Sequence, residues 1–128
     1  MGTENEIEVA LNDLTEKIIG CAIRVSRSLG PGFLEKVYEN ALCIELRRAG
    51  LKFEQQKALT VFYRGEAVGD YFADMLVEGI VLIELKAVRA IEESHQSQLL
   101  NYLKTTGLEI GLILNFGTPR LGIKRMRY

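Results

Sequence analysis

The sequence predicts an α/β sandwich: two leading helices, an antiparallel meander, a crossover helix and two closing strands. Three observations carry this prediction. Up to Gly50 the apolar residues recur every three or four positions, and from Leu51 the period falls to two. One helical stretch, Glu92 to Thr106, then separates two groups of strands. At 128 residues the chain reads as one domain, residues 1–128, long enough to bury a core without staples.

Each element follows from its pattern. Ile7, Leu11, Leu14, Ile18, Ala22, Val25 and Leu29 form one apolar helical stripe, broken by "GPG" at Gly30 to Gly32. A second helix is expected from about Phe33, with Leu34, Val37, Ala41, Leu42 and Leu46 inward. Gly50 stands where a left-handed cap belongs, after Arg47 and Arg48, which favour the negative end of the helix dipole. The stretch from Leu51 to Val88 holds three or four strands punctuated by "RGE", "VGD" and "VEG". The third helix stops at Gly107, "EIGLILNFG" reads as a buried strand, and "GIKRMRY" as a short charged one.

Composition narrows the function classes. The chain is 48% apolar and 26% charged, and sixteen basic against seventeen acidic residues leave a formal charge of −1. No global basic field announces a nucleic-acid partner, so the placement of individual charges decides. The one basic excess, Arg120, Lys124, Arg125 and Arg127, reads as a charge-blunted edge strand ahead of a phosphate-contacting strip. Cys21 and Cys43 fall on apolar helical stripes in no metal-like spacing, which suits a reducing compartment. No apolar run approaches the roughly 20 residues of a membrane span. The acidic start "MGTENEIEVA" is unlike a signal peptide, and a cytoplasmic location without membrane contact is expected.

The strand "GIVLIELKAV" places Glu84 and Lys86 in the most apolar part of the chain, on one face and two residues apart. Buried charges need partners, a metal or a function. Upstream, "YFADMLV" carries one acid, Asp74. A two-residue turn at Glu78-Gly79 would put Asp74 and Glu84 on opposite faces; a three-residue turn, or a bulge at Gly79, sets them side by side. The odd loop is the prediction, because only it allows a shared site. Adjacent carboxylates repel, and one holds its proton unless a divalent cation joins them. Hard oxygen ligands suit Mg²⁺ or Mn²⁺, which activate water and neutralise phosphate charge, and Lys86 could assist at the phosphoryl oxygen or the water. On spacing alone a structural Glu84–Lys86 ion pair, with Asp74 capping a turn, is slightly the more economical reading.

Two helical sets bear on that choice. Glu35 and Tyr38 lie at i and i+3 just after the glycine break, where Glu35 could supply a third oxygen to the ion or simply favour the helix dipole. His95, Gln98 and Tyr102 share a face of the third helix. Gln98 could hold a water or a nucleic-acid backbone with Tyr102 fixing it, or these could be polar residues on a solvated face. His95 has a minor role at most.

The segment "GFLEKVY", Gly32 to Tyr38, matches the Gly-x-x-Glu-x-x-Tyr signature, and the sequence resembles the GxxExxY proteins of the PD-(D/E)xK nuclease superfamily. The likeness continues through "YFADMLVE", "VLIELKAV", "HQSQLLNYLK" and "LILNFGTPRLGIKR". It implies a restriction-endonuclease-like core, with Asp74 as the superfamily's aspartate and Glu84 and Lys86 as its E-x-K. It also implies Glu35 as the helical glutamate, and Gln98 with Tyr102 as a Q-x-x-x-Y element. Ala73 stands where the superfamily's name has proline, a position that contributes no chemical group. The function this implies is metal-dependent hydrolysis of phosphodiesters in DNA, ahead of RNA. Mg²⁺ or Mn²⁺ would sit on Asp74, Glu84 and Glu35, with Lys86 and Gln98 assisting and Tyr38, His95 and Tyr102 in support. A homodimer would suit a small nuclease acting on two strands. The alternative is a non-enzymatic module that keeps the fold and binds nucleic acid or protein.

Overall fold

The computed structural model describes residues 3–128; Met1 and Gly2, the first residues of the acidic N-terminal stretch, lie outside them. Helix α1, Glu4–Leu29, opens on a capping box in which the Thr3 hydroxyl accepts from the Glu6 N–H and the Glu6 carboxylate accepts from the Thr3 N–H. Leu11, Ile18, Cys21, Ala22 and Val25 are its buried apolar residues. Ile7, assigned to that stripe from spacing, is exposed. The first turns are held by polar contacts instead, with Arg127 reaching Glu8 in a paired hydrogen bond.

Helix α2, Glu35–Arg48, starts slightly later than the pattern suggests, with Leu34 as its N-cap. Leu34 and Val37, expected inward, are exposed; Tyr38, Glu39, Leu42, Cys43 and Leu46 face the core. Polar partners set this face, because Tyr38 and Glu39 both find hydrogen bonds on the buried side. The helix ends as expected at Gly50, whose φ of +75° lets Leu51 donate to Leu46 and Gly50 to Arg47.

Strands β1, Phe53–Tyr63, β2, Glu66–Val77, and β3, Val81–Lys86, form the meander. Helix α3, Glu93–Thr106, then crosses to β4, Ile110–Asn115, and β5, Gly122–Arg127, closes the edge. The sheet runs β1-β2-β3-β4-β5, antiparallel throughout except for the β3/β4 pair that α3 connects. Arg64 and Gly65, both at positive φ, make the tight turn expected at "RGE". The turn expected at "VGD" does not form. Gly69 lies inside β2 opposite Val61, where the β1/β2 register shifts, so the glycine marks an irregularity within a long ribbon.

Two cores share this mixed sheet. Helices α1 and α2 cover one face with Met75, Val77, Ile83, Leu85, Leu112 and Leu114. Helix α3 covers the other through Leu99, Tyr102 and Leu103 against Ala73, Leu76, Leu82 and Ile113. Cys21 and Cys43 are buried and unbridged. Part of the basic tail is neutralised where it lies, since Arg127 pairs with Glu8 and Glu109, and Arg125 approaches Glu8. No helix among the described residues is long and apolar enough to cross a membrane.

Candidate active site

The β2–β3 turn has the odd length that a shared site requires. Val77 pairs with Val81, Leu76 with Leu82 and Met75 with Ile83, leaving Glu78, Gly79 and Ile80 in the loop. Glu78 and Gly79 both adopt positive φ, +55° and +67°, which turns the chain in this space. Continued one step, the register sets Asp74 across from Glu84. At that step side chains replace the backbone ladder. The Leu85 N–H donates to Asp74 Oδ2 at 2.7 Å, and the Asp74 N–H donates to Glu84 Oε1 at 3.3 Å. The two acids are thereby locked to each other's strands.

Burial and proximity make this pair electrostatically tense. Glu84 is 6% exposed, and burial, followed by the neighbouring Asp74 charge, pushes its carboxyl up to about 8. Burial also raises Asp74, against the lowering effect of the Leu85 N–H. Near neutrality Glu84 therefore favours its protonated form beside Asp74, and two hard-oxygen carboxylates so placed suit a divalent cation that displaces the proton. Lys86 is partly buried and its charge favours both carboxylates in ionised form. No ion pair joins it to either among the described residues, and Asp74 caps no turn, so the structural ion-pair arrangement is not what forms.

The sign of the pH dependence follows. Glu84 binds its proton more tightly in the fold (about 8) than at its ordinary value of 4.5. Its contribution to stability is full below about pH 4.5 and is lost as pH rises through about 8, a decline of order a few kcal/mol. Urea unfolding in EDTA from pH 5 to 8.5 is expected to show this fall, and Glu84→Gln to flatten it. An unchanged slope in the variant would mean that Glu84 is not the titrating group.

Helix α2 brings a different glutamate towards this pair than the one spacing suggested. Glu35 is exposed in the first turn, and no hydrogen bond ties it to Asp74 or Glu84. Glu39, one turn on, is 4% exposed and accepts from Lys36 at 2.9 Å, Gln55 at 2.8 Å and Gln56 at 3.0 Å. Its charge is one of the influences raising Asp74. The expected triad of Asp74, Glu84 and Glu35 is not assembled, and no cluster of three or more acid, histidine or cysteine ligands occurs among the described residues. Two carboxylates suffice for a Mg²⁺-type site that keeps several waters. The signal for Glu39 lay in the sequence, since it shares the helical face of Leu42, Cys43 and Leu46.

Gln56 links the two acids. Its amide donates to Glu39 Oε1 at 3.0 Å and reaches Asp74 Oδ1 at 3.5 Å. It stands opposite Asp74 in the β1/β2 register and has a φ of +51°, unusual inside a strand. Here the ribbon changes faces: Met75 packs with α1 and α2, whereas Ala73, two residues earlier, packs with α3. Nothing in "FEQQKAL" announces such a backbone angle.

The remaining expected residues divide by role. Tyr38 is fully buried, donates to the Gly30 carbonyl at 2.6 Å, accepts from the Phe33 N–H and stacks on Phe116. It fastens the glycine break to the core, and its hydrogen bonds go to Gly30 and Phe33, not to Asp74 or Glu84. His95 caps α3, its Nδ1 accepting from the Glu92 N–H at 3.0 Å. Gln98 is exposed, whereas Tyr102 is buried near the acids, its phenol raised by burial and then by the Glu84 charge. Both line a groove between α3 and the β1–β2 ribbon; the carboxylates themselves lie outside that lining.

One positioning residue was not foreseen. Asn115, 2% exposed, accepts through Oδ1 from the Val88 and Gly117 N–H groups and donates to the Val88 carbonyl. With the Phe116 N–H on the Lys86 carbonyl, it fixes the backbone that carries the lysine. Gly117 permits the close approach, because a Cβ there would lie 2.3 Å from the Val88 carbonyl oxygen.

Comparisons with known proteins agree with this architecture. The profile of the PD-(D/E)XK nuclease superfamily matches residues 12–126. The crystal structure of SSO0001 superposes with a TM-score of 0.58 at 18% identity, over 72% of this chain and 48% of that one. An alkaline exonuclease, LHK-Exo from Laribacter hongkongensis, superposes with a TM-score of 0.53 at 13% identity, over 72% of this chain and 55% of its own. The chain thus spans about half the length of these two structures. No curated protein matches it.

Proposed function

We propose that this chain, which belongs to the PD-(D/E)XK nuclease superfamily and has its restriction-endonuclease-like fold, is a divalent-metal-dependent nuclease that hydrolyses phosphodiester bonds, in DNA ahead of RNA. The observation that carries the reading is the side-by-side placement of Asp74 and Glu84 where the β2/β3 ladder gives way to their side chains. The GxxExxY signature at Gly32 to Tyr38 agrees with it.

Asp74 and Glu84 would hold the cation, Mg²⁺ or Mn²⁺, in place of the Glu84 proton. When bound, it supplies an acidified water and neutralises charge on the scissile phosphate. The chain's own contribution is preorganisation. The Leu85 N–H fixes one oxygen of Asp74 and the Gln56 amide approaches the other, so the carboxylate needs no reorientation. Lys86, on the Glu84 face of β3 and steadied by Asn115, would donate to the phosphate oxygen or to the attacking water. Gln98 would orient the substrate backbone from α3. Glu39 would act through Gln56 as a positioning residue in the place expected for Glu35.

The test is cleavage of labelled single- and double-stranded DNA and RNA by the native protein with Mg²⁺ or Mn²⁺. Activity that appears with the metal and disappears with EDTA is expected. Nucleic-acid binding without cleavage under any of these conditions would favour the non-enzymatic module.

A further inference from the structure

The groove between α3 and the β1–β2 ribbon has a volume of about 830 Å³, within the roughly 300–1,000 Å³ range of small-ligand sites. Three aromatic rings, Phe62, Tyr71 and Tyr102, stand among its mostly polar lining. Tyr102 is buried, whereas Tyr71 is 48% and Phe62 is 64% exposed, and the Tyr71 and Tyr102 rings lie 5.7 Å apart. Gln98 and Asn101 present amides that can donate to and accept from a planar polar edge. Among the described residues Lys104 is the only charged side chain lining it and no Asp or Glu does, in a chain whose net charge is −1. Aromatic faces, amide groups and one cation without an anion are together complementary to a nucleobase and its phosphate. Tyr102 joins the groove to the acids, since it packs in one buried cluster with Ala73, next to Asp74, and Leu82, two residues before Glu84 on β3.

We propose that this groove binds single-stranded nucleic acid, with an unpaired base stacked on Tyr71 and Phe62 and the backbone leading past Tyr102 towards Asp74 and Glu84. The proposal rests on the nuclease reading for that direction and deepens it by naming the form of the substrate. A ring can stack only on a base whose face is free, and in a duplex the base faces cover one another. The Asn101 amide then meets a base edge that a complementary strand would otherwise occupy, while Gln98 orients the backbone.

The test is anisotropy of a short fluorescein-labelled oligonucleotide, single-stranded or annealed to its complement, at fixed salt in EDTA. The native protein is expected to bind the single strand more tightly than the duplex. Tyr71→Ala is expected to weaken single-strand binding about tenfold or more, the loss of a stacked base, and to leave duplex binding unchanged. Phe72→Ala alters a ring that is 59% exposed on the other face of β2, outside the groove, and is expected to change neither. Equal affinity for duplex and single strand, or a Tyr71→Ala variant that binds like the native protein, would overturn the proposal. EDTA separates the two claims. A single-strand preference that Tyr71→Ala removes, with no cleavage after metal is added, leaves the groove standing and removes the nuclease reading. Metal-dependent cleavage indifferent to Tyr71 does the reverse.

Discussion

Glu84→Gln is expected to lower metal-dependent cleavage by at least about 10²–10³-fold while making the metal-free protein more stable at pH 8. The opposite signs have one cause. Glu84 is buried beside Asp74, with its carboxyl pushed up to about 8, so ionisation near that pH places a charge where the site disfavours it. The amide has the shape of the acid, can still accept from the Asp74 N–H, and is always neutral. It therefore removes the repulsion and the metal ligand together. Chemical denaturation in EDTA and cleavage in Mn²⁺, measured on one preparation, check both halves. Lost cleavage with lost stability would instead mean that Glu84 holds the fold together.

Lys86→Met is expected to reduce cleavage by a similar factor, about 10²–10³-fold, while preserving metal binding. The substitution keeps most of the apolar stem and removes the ammonium, which makes no ion pair among the described residues. Its remaining effect on the acids is to favour their ionised forms. Without it, Glu84 holds its proton to higher pH, and the pH at which the cation binds half-maximally moves upward. A metal titration across pH 6–9 should show that shift beside the loss of turnover. Abolished metal binding would make Lys86 part of the site's architecture, not a group acting on substrate or water.

What could be read from sequence was what depends on periodicity. Strand parity required an odd turn between Asp74 and Glu84, and the three-residue loop with its positive-φ Glu78 and Gly79 meets that requirement. The caps at Gly50 and Gly107 follow equally local rules. What could not be read depends on tertiary polar contacts. The inward face of α2 is set by hydrogen bonds from Gln55 and Gln56 to Glu39, so Leu34 and Val37 face solvent and Glu35 is left in the exposed first turn. Gln56 lies in a strand yet has a positive φ of +51°, in the left-handed region, which no propensity foretells. Gly69 reads as a turn residue but is carried through β2 by its pairing with Val61. Asn115 was hidden because one polar residue ending an apolar strand has no periodicity, although its three hydrogen bonds fix the backbone beside Lys86.

The most direct test of the account is a Mn²⁺ titration of the isotope-labelled native protein at pH 8, followed by paramagnetic broadening of its amide signals. The Asp74 and Leu85 amides, which hydrogen-bond to the two carboxylates, are expected to broaden first and at substoichiometric metal, with Glu84→Gln abolishing the effect. Broadening that begins elsewhere in the chain, or that persists undiminished in the variant, would contradict the assignment of Asp74 and Glu84 as the metal site.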